Sequence, residues 1–173
     1  ERPEFEDDHI SHQKVMITII WGVWGFFIID ELPQGVSYNS FYFKQNILDD
    51  LVSKKCQIWP NSKGKKIWLH LDNCKVHNSK LITTEISKSP FKRAPHPPYS
   101  PDVVPSDFYL FGYIKRKLEG AIFNSREELF EGLIEILNEI SRDERIAVFR
   151  EWQNRCDFIR NNNGIYFTLK NIY

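Results

Sequence analysis

Two segments constrain this chain more than any other feature. Residues 70–77 read HLDNCKVH and residues 96–107 read HPPYSPDVVPSD, and 34 residues separate Asp72 from Asp107. The first segment comes after an apolar run, which reads as a strand with Asp72 at its tip. Residues 95–106 pack Pro95, Pro97, Pro98, Pro101 and Pro105 into one stretch just before Asp107. Proline fixes φ, so this stretch predicts a stiff loop that positions Asp107. Gathering carboxylates from distant strand and helix ends is how a fold assembles a Mg²⁺ site, since that ion takes one or two carboxylates and keeps water or phosphate oxygens. Two such ions can clamp the attacking and leaving oxygens of a phosphodiester exchange.

Each aspartate also has a plain structural explanation. Asp72 can make an Asx turn or cap the next helix. Asp107 can serve as a helix-dipole partner in a first turn opened by Ser106 as N-cap. Asp102 competes with Asp107 as a ligand, but Ser-Pro-Asp is common turn chemistry and favours a local role. A zinc site from His70, Asp72, Cys74 and His77 is a further alternative. It is disfavoured because structural zinc prefers several Cys or His at fixed pair spacings.

Composition narrows the class. The chain has 173 residues and is 42% hydrophobic, enough for one domain with a real core. Its 23 basic and 23 acidic residues give zero net charge, which argues against a stand-alone basic DNA-binding module. The basic residues still cluster, at Lys63, Lys65 and Lys66 and at Lys115, Arg116 and Lys117. These are the candidate nucleic-acid contacts. Cys56, Cys74 and Cys156 form no CxxC pair, so a disulfide framework is not expected, and a reducing compartment is. The apolar stretch from Val15 to Leu32 is broken by Gly22, Gly25, Asp30 and Glu31 and is not a membrane span.

Patterning predicts a polar lead-in over residues 1–13. A hairpin then runs from Lys14 to Trp21 and from Phe26 to Leu32. A helix capped by Asn39 or Ser40 extends to about Val52, and residues 53–66 form a basic loop. Residues 66–71 read as a strand, 78–87 as a helix and 91–94 as a short strand. A helix from Asp107 to about Glu119 comes next. A second opens with a capping box at Ser125 and Glu128, and a third runs from about Asp143 to Arg160.

Residues 69–77 and 96–111, in this order and at this spacing, closely resemble the catalytic domain of mariner-family DNA transposases. Trp21, Gly25, Tyr38, Asn39, Trp152 and the segment from Gly164 to Phe167 extend the likeness over nearly the whole chain. The resemblance implies an α/β, ribonuclease H-like mixed sheet flanked by helices, occupying residues 14–173, with a helical C-terminal end. It implies cut-and-paste chemistry on transposon-end DNA with Mg²⁺ or Mn²⁺, carried out in the nucleus, and leaves room for a homodimer. Asp72 matches the second metal-binding carboxylate of that family and Asp107 the third. Asn73 and His77 are implied as accessories.

The first carboxylate of the family lies on an upstream strand in a Gly-Asp-Glu context, which these residues do not contain. The expectation is therefore a truncated catalytic domain, weak in metal binding and inactive alone. The alternative is a non-catalytic nucleic-acid-binding or protein-interaction module on the same scaffold. In the family fold the upstream strand sits between the hairpin and the strand leading to Asp72. Without it, either those two pair directly or an apolar gap remains between them, with reduced stability or help from a partner chain.

Overall fold

A hairpin with two differently occupied faces divides the molecule, which is described by a computed structural model for residues 14–62, 64–165 and 167. The expected lead-in 1–13, Lys63 and Tyr166 lie outside the described residues. Strands β1 (Ile17–Gly22) and β2 (Gly25–Glu31) pair antiparallel, with a bulge between Ile20 and Trp21. Side chains alternate across a strand. The paired Ile20 and Ile28 accordingly face one core, which the bulged Phe27 also joins, whereas Ile17, Ile19, Trp21 and Ile29 face another.

The first core joins the hairpin to helices and to a second, shorter sheet. Asn39 accepts hydrogen bonds from the Phe41 and Tyr42 amides, both at 3.0 Å, and so starts α1 (Ser40–Tyr42). A π-helical stretch (Phe43–Leu48) carries the chain into α2 (Asp49–Ile58). The helix therefore outruns the expected end near Val52. Lys54 and Lys55 belong to it rather than to a loop, because lysine is a good helix former and Lys54 pairs with Asp50 one turn back at 2.7 Å. Phe43, Ile47, Leu48 and Leu51 pack on Ile28, Leu69, Ile82 and Phe91.

Strands β3 (Ile67–Leu69) and β4 (Phe91–Arg93) pair in parallel, connected through α3 (Lys80–Lys88). A 3₁₀ turn (Pro101–Val103) and a π-helical stretch (Ser106–Leu110) then lead into α4 (Phe111–Leu118). Ser106 is not the N-cap expected of it. Pro105 occupies that position, and the Ser106 Oγ instead accepts a hydrogen bond from the Trp21 indole at 3.0 Å. Helices α5 (Arg126–Glu139) and α6 (Arg142–Asn161) follow, and Leu110, Leu133, Leu137 and Ile140 form the second core. Ser125 does cap α5, but Glu128 reaches the Asn124 amide rather than that of Ser125. The reciprocal capping box forms one helix later, between Ser141 and Glu144.

The described strands make two separate two-stranded sheets. β1 and β3 do not pair; they flank a cleft of about 310 Å³ lined by Ile20, Trp21, Ile67, Leu69, Phe149 and Trp152. An apolar gap thus remains between the hairpin and the Asp72 strand.

Candidate active site

Asp72 lies three residues beyond Leu69, the last paired position of β3, and directly after the buried Leu71. Its Oδ1 accepts the Cys74 amide at 3.2 Å, an Asx turn, and lies 2.6 Å from His77 Nδ1. The expected structural role and an exposed carboxylate therefore coexist, with 59% of the Asp72 side chain open to solvent. Burial alone would raise the Asp72 carboxyl, but the Cys74 amide and His77 outweigh it and hold it below its ordinary value. Burial lowers His77 despite Asp72 beside it. The imidazole is then neutral near pH 7, and the short contact is best read as Nδ1–H donating to the carboxylate. That tautomer leaves Nε2 to accept from the Tyr38 hydroxyl at 3.5 Å.

The loop from Asp72 to His77 is braced from outside. The Arg93 guanidinium, at the end of β4, donates to the Asp72 carbonyl at 2.9 Å and to the His77 carbonyl at 2.6 Å. Asn78 donates to the Asn73 carbonyl at 2.8 Å, and Asn73 donates to the His96 carbonyl at 3.1 Å. Asn73 thus links the Asp72 loop to the proline-rich loop. His96 Nδ1 in turn lies 3.2 Å from His70 Nε2. Burial, with His96 and Arg93 nearby, pushes His70 down to about 4. His70 packs on Trp152 and not with Asp72, Cys74 and His77, so the four-residue zinc set considered from sequence does not assemble.

Asp107 stands exposed in the first turn after Pro105. Partial desolvation and the negative charge of Asp72 both raise its carboxyl above the ordinary value, with His96 opposing them. Asp72 and Asp107 therefore sense each other across the two loops. Asp102 is a different kind of residue. It is buried and accepts the Phe167 amide at 2.8 Å, which anchors Phe167. Asp30 accepts from the Tyr42 hydroxyl at 2.8 Å, and Glu31 accepts from Arg126 Nε at 2.7 Å, so both are occupied elsewhere.

Lys65, Lys115 and Arg116 are exposed. Lys66 donates to the Ser87 carbonyl, and Lys117 pairs with Glu139 at 2.6 Å, which leaves these two less available to phosphate. Sequence patterning does not single out Arg93 or the Trp21–Ser106 tie. No spacing rule places Arg93 across a loop twenty-one residues upstream.

No family model matches the chain. Human histone-lysine N-methyltransferase SETMAR is 28% identical over 172 residues, covering 96% of this chain and 25% of that protein. The Mos1 transposase of Drosophila mauritiana is 26% identical over 125 residues, covering 71% of this chain and 36% of that protein. The chain is homologous to SETMAR and to the Mos1 mariner transposase. It spans between a quarter and about a third of the length of these curated relatives. Among solved structures, the catalytic domain of Mos1 superimposes with a TM-score of 0.74 at 21% identity, covering 89% of this chain and 76% of that one. A Mos1 paired-end complex with Mn gives 0.80 at 21% identity, covering 89% of this chain and 45% of that one. The fold is thus that of the Mos1 catalytic domain, a ribonuclease H-like α/β architecture.

Proposed function

We propose that this chain carries part of a metal-dependent site for DNA cleavage and strand transfer, with Asp72 and Asp107 as the metal-binding carboxylates. The observation that supports the proposal is the electrostatic influence of Asp72 on Asp107 across two linked loops. Asp72 and Asp107, with 34 residues between them in sequence, carry charges that interact, and Asn73 ties their loops together. Oxygen donors from two carboxylates, open to solvent, suit a hard cation that keeps several waters. Mg²⁺ or Mn²⁺ bound there would neutralise charge developing on the phosphodiester and orient its oxygens. The Mos1 catalytic-domain structures with Mn and with Mg support this choice of ion.

In this reading the protein's own groups position and do not react. Arg93 holds the Asp72 loop, and Asn73 fixes its distance from the proline-rich loop. His77 keeps Asp72 ionised and oriented through its Nδ1–H. Lys115 and Arg116, with Lys65, would contact the phosphate backbone of DNA, while Lys63 and Lys66 with Lys117 would add less specific attraction. Action on transposon ends in the nucleus, as a homodimer, belongs to the same proposal. We further propose that these 173 residues alone do not cut DNA. Two carboxylates position two ions poorly, and lost positioning can cost several kcal/mol of barrier.

The test is an anisotropy and nicking assay with labelled transposon-end duplex in Mn²⁺. Weak binding that falls steeply with salt and weakens in Lys115→Ala/Arg116→Ala is expected, without nicking. Binding indifferent to both salt and these substitutions would contradict the DNA-contact assignment. Nicking that disappears in Asp72→Ala would contradict the inactivity.

A further inference from the structure

We propose that Asp72, Cys74 and His77 form a site for a thiophilic divalent cation of the Zn²⁺ type, which takes Asp72 away from the hard-metal site. One ligand atom from each of the three residues lies within 4.8 Å of the other two. A carboxylate oxygen, a sulfur and an imidazole nitrogen are the donor types that four-coordinate zinc uses, at about 2.0–2.3 Å. Those bond lengths place tetrahedral ligands about 3.3–3.6 Å apart. The sulfur therefore needs to close by no more than roughly 1 Å, and the Asp72–His77 contact needs to open by somewhat less. Both lie within the reach of side-chain rotation.

The surroundings suit such a site. The Asx turn at Asp72 directs residues 72 and 74 to the same side, and Arg93 holds both ends of the loop through the carbonyls of Asp72 and His77. With the ion on His77 Nδ1, the imidazole proton moves to Nε2, where the Tyr38 oxygen faces it. A ligating histidine usually donates its other N–H to such an outer partner. Binding also sends the Cys74 thiol proton to solvent. Three protein ligands leave the fourth position to water, and the exposure of Asp72 gives the ion a path from solvent.

The donors decide the choice of cation. A thiolate and an imidazole select Zn²⁺ over Mg²⁺, and any mixed N/O/S site holds Zn²⁺ more tightly than Mn²⁺. Asp72 serves both sites, so filling one weakens the other. The thiophilic site stands without the phosphoryl-transfer reading, but its antagonism with Mn²⁺ rests on that reading.

The experiment titrates the reduced 173-residue chain with Co²⁺ alone, then with Zn²⁺. A thiolate-to-Co²⁺ absorption band in the near ultraviolet is expected at one ion per chain, and Zn²⁺ should abolish it. Cys74→Ser and His77→Gln should each weaken Co²⁺ binding by more than about tenfold, since even outer-shell changes cost that much. The double variant Cys56→Ser/Cys156→Ser should keep the band. Circular dichroism establishes that each variant is folded, with Cys74→Ala as the substitute if Cys74→Ser is not. No band in the folded chain, or a band that survives loss of Cys74, overturns the site. A parallel Mn²⁺ titration by paramagnetic resonance separates the two readings. Mn²⁺ affinity that falls when Zn²⁺ is present supports the antagonism. A cobalt band without any Mn²⁺ binding removes the phosphoryl-transfer reading and leaves the thiophilic site standing, and Mn²⁺ affinity unchanged by Zn²⁺ overturns the antagonism.

Discussion

The Arg93 guanidinium at the end of β4 donates to the Asp72 carbonyl at 2.9 Å, so the end of one parallel strand fixes the loop leaving the other. The carboxylate itself stays free of that contact. Arg93→Met should therefore lower Mn²⁺ affinity about tenfold or more without removing a ligand, as loss of an outer-shell partner does. Calorimetry reads this directly, and unchanged affinity in a folded variant would deny Arg93 a positioning role.

Asp107 gives a prediction of opposite sign for stability and binding. Its carboxyl is raised by partial desolvation and by Asp72. A raised acid binds its proton more tightly folded than unfolded, so folding loses stability as pH rises through the folded value. Asp107→Asn should raise Tm at pH 7 while removing Mn²⁺ binding. The gain should vanish well below the ordinary value of 3.8, where both states are protonated. Thermal melts at about pH 3 and pH 7 check the pattern.

His70 should shape the acid limb. Its folded value lies at about 4 against an ordinary 6.5, held down first by burial and then by His96 and Arg93. Between those values the unfolded chain binds the proton and the folded chain does not. Stability should fall as pH drops from 6.5 towards 4. His70→Gln should flatten that part of a Tm-against-pH curve, and an unaltered slope would assign the loss to other groups.

Asp102 anchors rather than ligates. Replacing it by alanine strands the Phe167 amide, which the Asp102 Oδ2 now accepts at 2.8 Å. An unpaired buried donor costs about 1–3 kcal/mol. Asp102→Ala should destabilise by that order in urea denaturation and leave Mn²⁺ affinity unchanged.

The parts legible in the sequence are those set by local chemistry. Alternating apolar residues place the hairpin, and Asn39 caps its helix as expected. The prolines before Asp107 do end in a helical turn that presents it. The features that escape local reading depend on contacts between distant residues. Ser106 has the right chemistry to cap a helix, but the indole of Trp21, 85 residues away, takes its oxygen. The run at Lys54 and Lys55 reads as a loop because its charge is more visible than its helix propensity. Arg93 acquires its role only when β4 lies beside β3.

The most direct measurement is a calorimetric Mn²⁺ titration of the 173-residue chain beside Asp72→Asn and Asp107→Asn. The expected result is weak binding in the parent chain and loss of that binding in both variants, with the fold retained. Tight binding untouched by either substitution would contradict the assignment of Asp72 and Asp107 as a shared metal site.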